Sequence, residues 1–160
     1  MADNRLAGMI EIRKGRLRDS EHIVELQLQM AKETEGLELD RNVVSKGVRA
    51  VFQEPARGTY WVAEENDRIL GVLLAIPEWS DWRNGTVLWI HSLYVIGQAR
   101  RRGVFKKLYL NLKEQVEQSP ELMGLRLYVD KRNKSAQEIY IKLGMDKDHY
   151  ELYEWLKCRL

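Results

Sequence analysis

Residues 95–105 read Val95-Ile-Gly-Gln-Ala-Arg100-Arg101-Arg102-Gly103-Val104-Phe105, a basic turn that passes straight from a strand into a helix. Upstream, Thr86–Val95 is TVLWIHSLYV, nearly all apolar, as a strand covered on both faces should be. Downstream, Val104, Leu108, Leu112 and Val116 recur at i, i+4 spacing and mark one buried helical stripe. The first amides of such a helix lack intrahelical acceptors and carry the positive end of its dipole. That makes a ready site for an anion, above all a diphosphate. Gly103 has no Cβ, so the backbone there can come close to a ligand. The alternative is a solvated basic helix start whose glycine serves only the turn. Neither GxGxxG nor GxxxxGK[ST] occurs, which argues against a dinucleotide fold and a P-loop.

Working outward, Ile10 and Ile12 alternate with Glu11 and Arg13 as a short first strand. Asp19 or Ser20 caps a helix with Ile23, Leu26 and Met30 on one face, and Gly36 breaks it. A second helix is expected over about 41–53, before Pro55. Thr59–Glu64 and Arg68–Ile76 read as strands joined at Asn66-Asp67, and Glu78–Gly85 as a loop with two tryptophans. After Ser119-Pro120, Leu125, Leu127 and Val129 alternate as a strand. Ser135 with Glu138 suggests a capping box opening a short helix that Gly144 ends. A last strand is expected around His149–Leu156. The order β-α-α-β-β-β-α-β-α-β predicts one α/β (α+β) domain over 1–160, a mixed central sheet of about six to seven strands with about four helices.

Composition bounds the rest. The 160 residues suit one domain, and 44% hydrophobic with 31% charged is an ordinary globular balance with enough apolar material for one core. No apolar run approaches the roughly 18 residues that span a bilayer. The start, MADNRLAGMIEIRKGR, has no apolar stretch of the signal-peptide kind. The single Cys158 cannot form an internal disulfide, so a cytoplasmic setting is expected. Charge is uneven despite a net +2: residues 33–40 carry four acids and no base, residues 100–107 five bases and no acid. That asymmetry suggests one site for an anion and another for a cation. One basic cluster at a pI near 8.6, without an aromatic RNA motif, argues against nucleic acid.

Two motifs together resemble the GNAT superfamily of N-acetyltransferases. The family's strand end, hydrophobic-x-Val, matches Leu93-Tyr94-Val95, and its Arg/Gln-x-x-Gly-x-Gly/Ala loop matches Arg100-Arg101-Arg102-Gly103-Val104-Phe105 at the same spacing. Its second signature, Asn-x-x-Ala-x-x-x-Tyr-x-x-x-Gly-Phe, matches Asn133-Lys-Ser-Ala136-Gln-Glu-Ile-Tyr140-Ile-Lys-Leu-Gly144-Met145. Phe105 replaces a small residue and is read as facing the core, and Met145 replaces Phe.

The resemblance implies an enzyme that moves an acetyl group from acetyl-CoA to an amine. Leu93, Tyr94, Val95, Arg100, Arg101, Arg102, Gly103, Val104, Phe105, Lys106, Asn133 and Tyr140 would then hold the coenzyme, with Tyr140 as general acid. His91 stands where many members place a glutamate base. An unperturbed imidazole titrates near about 6.5 and can take a proton directly or through water; the other reading is a histidine packed in the strand. Regions lining the acceptor side in similar proteins hold Glu33, Glu35, Trp79, Asp81 and Trp82, with Glu38, Asp40 and Glu78 nearby. Carboxylates and tryptophan faces suit a small cationic amine; a solvated acidic helix end and tryptophans over the core are the alternative. No metal site is expected, and the aromatic C-terminal stretch is a candidate contact for a homodimer. The rival functions are a non-catalytic acyl-CoA-binding module and a protein-lysine or N-terminal acetyltransferase.

Overall fold

The computed structural model describes residues 8–158. Contacts divide the chain into two compact units, Met1–Arg126 and Leu127–Leu160. The fold is α/β, and the described residues form a mixed five-stranded sheet in the order β1-β2-β3-β4-β5 and four α-helices. The strands are β1 (Glu11–Lys14), β2 (Thr59–Glu65), β3 (Arg68–Ser80), β4 (Gly85–Val95) and β5 (Leu122–Leu127). The helices are α1 (Ser20–Met30), α2 (Arg41–Gln53), α3 (Val104–Gln118) and α4 (Lys134–Lys142). β1 through β4 pair antiparallel. β4 and β5 are joined by α3, the kind of crossover that parallel neighbours require.

Local chemistry explains most of these elements. Asn66 and Asp67 both take positive φ, 50° and 61°, the handedness a two-residue hairpin turn demands between β2 and β3. The Asp40 carboxylate accepts from the Asn42 N–H at 2.7 Å and caps α2. α1 runs on into a π-helical turn, Ala31–Glu35, which stops at left-handed Gly36. One face of the sheet meets α1 and α2 through Ile23, Val24, Leu26, Val48, Tyr60, Val62, Val72, Leu74 and Tyr94. On the other face α3 sits down through fully buried Val104, Leu108 and Leu112. Gly71 permits that approach: a Cβ there would lie 3.3 Å from both Val104 and Leu108 and 3.0 Å from the Tyr94 carbonyl oxygen.

Several boundaries differ from the sequence reading. The expected loop Glu78–Gly85 shrinks to a four-residue turn, because β3 runs through Ser80 and β4 starts at Gly85. Pro77 is tolerated inside β3 because β2 ends opposite Ala75, so beyond that point β3 has lost its partner on one side. β5 starts three residues earlier and ends two residues earlier than the alternating Leu125–Val129 suggested. Phe105 is half-buried, and Val104 is the first core residue of α3. Among the described residues five strands form instead of the expected six to seven. The stretch His149–Leu156, expected as a last strand, forms none among the described residues, and Tyr150, Tyr153 and Trp155 are at least 80% exposed. Aromatic and apolar residues alone make no strand, since a strand also needs a neighbour to pair with along its length. No helix among the described residues is long and apolar enough to cross a membrane.

Candidate active site

The β4–α3 turn is built from three consecutive backbone devices. The Ile96 N–H donates to the Leu70 carbonyl at 3.0 Å, so β4 stays tied to β3 to its last residue. A short 3-10 turn, Gly97–Ala99, follows, and Ala99 is buried beneath it. The chain then rises through Arg101 at φ 63° and Gly103 at φ 78°, two left-handed residues bracketing Arg102. Gly103 is the N-cap of α3, and no side chain caps that helix. Uncapped first-turn N–H groups, the helix dipole and paired left-handed residues together favour an anion. A Cβ at Gly103 would meet nothing within 4 Å, so the space above it is open.

The basic residues of this turn divide into two groups. Arg100 turns back on the fold: its Nε donates to the Val95 carbonyl at 3.1 Å and its Nη2 lies 2.5 Å from Glu33. Its guanidinium also sits 5.7 Å from the Tyr94 ring centroid. Arg102 pairs with Glu65 at 2.6 Å, and the Lys107 ammonium reaches the Ile10 carbonyl. Arg101 and Lys106 are exposed beside the helix start.

Along β4 the ladder contains a bulge. Ser92 lies opposite Leu74 and Ile90 opposite Ala75, so His91 has no partner on β3, and it is exposed. A bulge of this kind re-aims a side chain and is frequent beside active sites. The packed-histidine reading therefore does not describe this position. Leu93 is half-buried opposite Leu73, and Val95 is buried opposite Gly71. Tyr94 points into the helix-side core, where its hydroxyl donates to Glu33 at 2.8 Å.

In the second unit Asn133 is the N-cap of α4, and its side chain accepts from the Ala136 N–H at 3.0 Å. The helix thus opens at Asn133, not through a Ser135–Glu138 box. Tyr140 lies half-buried in its last turns, and the Tyr140 carbonyl accepts from the Leu143 and Met145 N–H groups. Gly144, at φ 90°, ends the helix as expected.

A family description, the Acetyltransferase (GNAT) family, matches residues 23–145, spanning this turn, the bulged strand and α4. The chain belongs to the GNAT acetyltransferase family. A possible acetyltransferase from Clostridium difficile 630 is 39% identical, covering 94% of this chain and 99% of that one, with a TM-score of 0.89. Two more distant structures share the GNAT fold. An aminoglycoside N-acetyltransferase in complex with CoA is 14% identical over 99% of this chain and 100% of that one, TM-score 0.77. An aminoglycoside acetyltransferase from an uncultured soil metagenomic sample, in complex with sisomicin, is 18% identical over 92% and 97%, TM-score 0.71. No curated protein matches the chain.

In this GNAT chain the acidic residues named from sequence are mostly engaged. Glu33 receives Tyr94 and Arg100 together. The Tyr94 hydroxyl and the Arg100 guanidinium hold the Glu33 carboxyl below the ordinary carboxylate range despite some burial. Burial and that same carboxylate push the Tyr94 hydroxyl up. Glu38 pairs with Lys32 at 2.8 Å, and Asp40 is spent on its helix cap. Glu35 remains exposed on the π-turn. At the far end of the β3–β4 hairpin, Trp79 is 64% and Trp82 is 90% exposed, so neither covers the core. The Asp81 carboxylate accepts from the Trp82 N–H at 2.9 Å. Glu78 accepts from Arg126 at 2.8 Å, and Arg126 in turn lies 5.8 Å from the Trp89 ring centroid. Trp89 and Arg126 escaped the sequence reading because nothing in their local patterns connects β4 with β5. The Gln27–Ser92 hydrogen bond, 3.1 Å, escaped it for the same reason.

Proposed function

We propose that the chain, acting as one domain in the cytoplasm, moves an acetyl group from acetyl-CoA to a primary amine of a small molecule, by direct attack in a ternary complex. The observation that carries this reading is the start of α3, uncapped, with left-handed Gly103 beneath open space. Those features fit the diphosphate of CoA, with exposed Arg101 and Lys106 adding charge. Backbone groups of Leu93 and Val95 are assigned to the pantetheine arm and the acetyl oxygen, where a fixed donor stabilises developing negative charge.

Acetyl-CoA supplies the acetyl thioester. His91 takes the amine proton, directly or through a water, and its exposure at the bulge supports that role. Tyr140 donates its hydroxyl proton to the departing sulfur and recovers one from solvent. The carbon–nitrogen bond forms as the carbon–sulfur bond breaks. Likeness in fold to two aminoglycoside acetyltransferases supports a cationic small-molecule acceptor, and exposed Trp79 and Trp82 suit cation–π contact with it.

The test is calorimetry with CoA followed by thiol release from acetyl-CoA across a panel of small amines and lysine peptides. Binding with turnover on small amines is expected. Absence of CoA binding overturns the reading. Binding without turnover on any amine leaves the acyl-CoA-binding module in its place.

A further inference from the structure

We infer that Glu33 is a positioning residue for the β4–α3 turn, acting through Arg100 and Tyr94 from the π-helical turn that ends α1, and is not the carboxylate that receives an acceptor's charge. Its importance for CoA rests on the function proposed above. Both Glu33 oxygens are used: Oε1 meets Arg100 Nη2 at 2.5 Å and Oε2 accepts from the Tyr94 hydroxyl at 2.8 Å. Arg100 also grips the Val95 carbonyl at 3.1 Å and lies over the Tyr94 ring. Three chain segments separated in sequence are thereby joined at one carboxylate: the end of α1, the end of β4 and the turn itself.

The base of this latch is itself fixed. The extra residue of a π-turn shifts the face that follows it, and such turns are frequent at functional sites. Here the Thr34 hydroxyl donates to the Met30 carbonyl at 2.8 Å, and the Leu37 N–H donates to the Ala31 carbonyl at 3.1 Å, closing the turn around Glu33. A cationic acceptor binding Glu33 would have to displace a guanidinium and a hydroxyl that already neutralise and satisfy it. Arg100, committed to Glu33 and Val95, serves the shape of the turn, while exposed Arg101 and Lys106 flank the anion site.

The experiment compares wild type, Glu33→Gln, Arg100→Ala and the double variant, each first checked for a cooperative thermal melt. CoA affinity is read by calorimetry, and amide hydrogen exchange over residues 96–103 is read without ligand. Each single variant is expected to weaken CoA binding about five- to twenty-fold, and the double no more than about two-fold beyond the worse single, as for members of one network. Exchange at 96–103 is expected to quicken in Glu33→Gln. Unchanged exchange, unchanged CoA affinity in Glu33→Gln, or additive losses with Arg100→Ala far the larger overturns the latch. If wild type itself binds no CoA, the proposed function falls, and exchange alone then decides whether Glu33 holds the turn.

Discussion

Gln27 of α1 donates its side-chain amide to the Ser92 hydroxyl at 3.1 Å, tying the helix to β4 at the residue next to the bulged His91. Ser92 is only 6% exposed, so this hydrogen bond is shielded and fixes the strand where its register slips. Ser92→Ala removes the acceptor and leaves the Gln27 amide poorly satisfied, for a loss of about 1–2 kcal/mol. Denaturant unfolding measures it. Turnover is expected to fall as well, since His91 loses its neighbour's anchor.

Gly103→Ala separates backbone strain from ligand contact. The added methyl meets nothing within 4 Å, so any stability loss comes from holding φ at 78° with a Cβ present, about 1–2 kcal/mol. CoA affinity is expected to fall further than that strain accounts for, because the methyl enters the space assigned to the diphosphate. Equal CoA affinity in the two proteins, by calorimetry, would remove the diphosphate from this corner.

Tyr140→Phe keeps the ring and deletes the hydroxyl. Turnover is expected to drop by about a hundred-fold or more, as for loss of a positioned proton donor, with CoA affinity nearly intact. Unchanged turnover in a steady-state assay takes the general-acid role away from Tyr140.

His91→Ala is expected to lower turnover most at neutral and alkaline pH, where an unprotonated imidazole can take the amine proton, and least at the acid end, where a protonated imidazole cannot. A loss of equal size at every pH would reduce His91 to a structural part of the bulge.

Acid stability depends on a different cluster. Arg13 on β1 donates to Asp19 at 2.8 and 3.1 Å and also to Glu64 on β2. Burial pushes the Asp19 carboxyl up, but Arg13 and the Arg16 backbone N–H outweigh it and hold the group below its ordinary 3.8. A depressed carboxyl stabilises the fold fully above 3.8 and loses that contribution as pH falls through the lower folded-state value. Asp19→Asn should therefore cost about 2–3 kcal/mol at pH 7, where it leaves Arg13 half-compensated. The gap from wild type should narrow below about pH 4 in thermal melts taken across the acid range.

The sequence by itself determined the elements around the basic turn. Val104, Leu108 and Leu112 announce a helix stripe, the apolar run Thr86–Val95 a covered strand, and Asn66-Asp67 a tight hairpin. These signals are local, written in spacing and turn chemistry that a few neighbouring residues specify. The same text misplaced Glu78–Gly85 and His149–Leu156, because strand length depends on whether a partner lies alongside. Only the tertiary structure decided which charges remain for ligands. Glu33 and Arg100 read as a cation site and an anion site from their flanking charges, yet they neutralise each other across residues far apart in the chain. Likewise the bulge that singles out His91 exists only in the pairing of β3 with β4. Charge pairing and strand register are properties of approach between distant segments, and no local pattern encodes the distance.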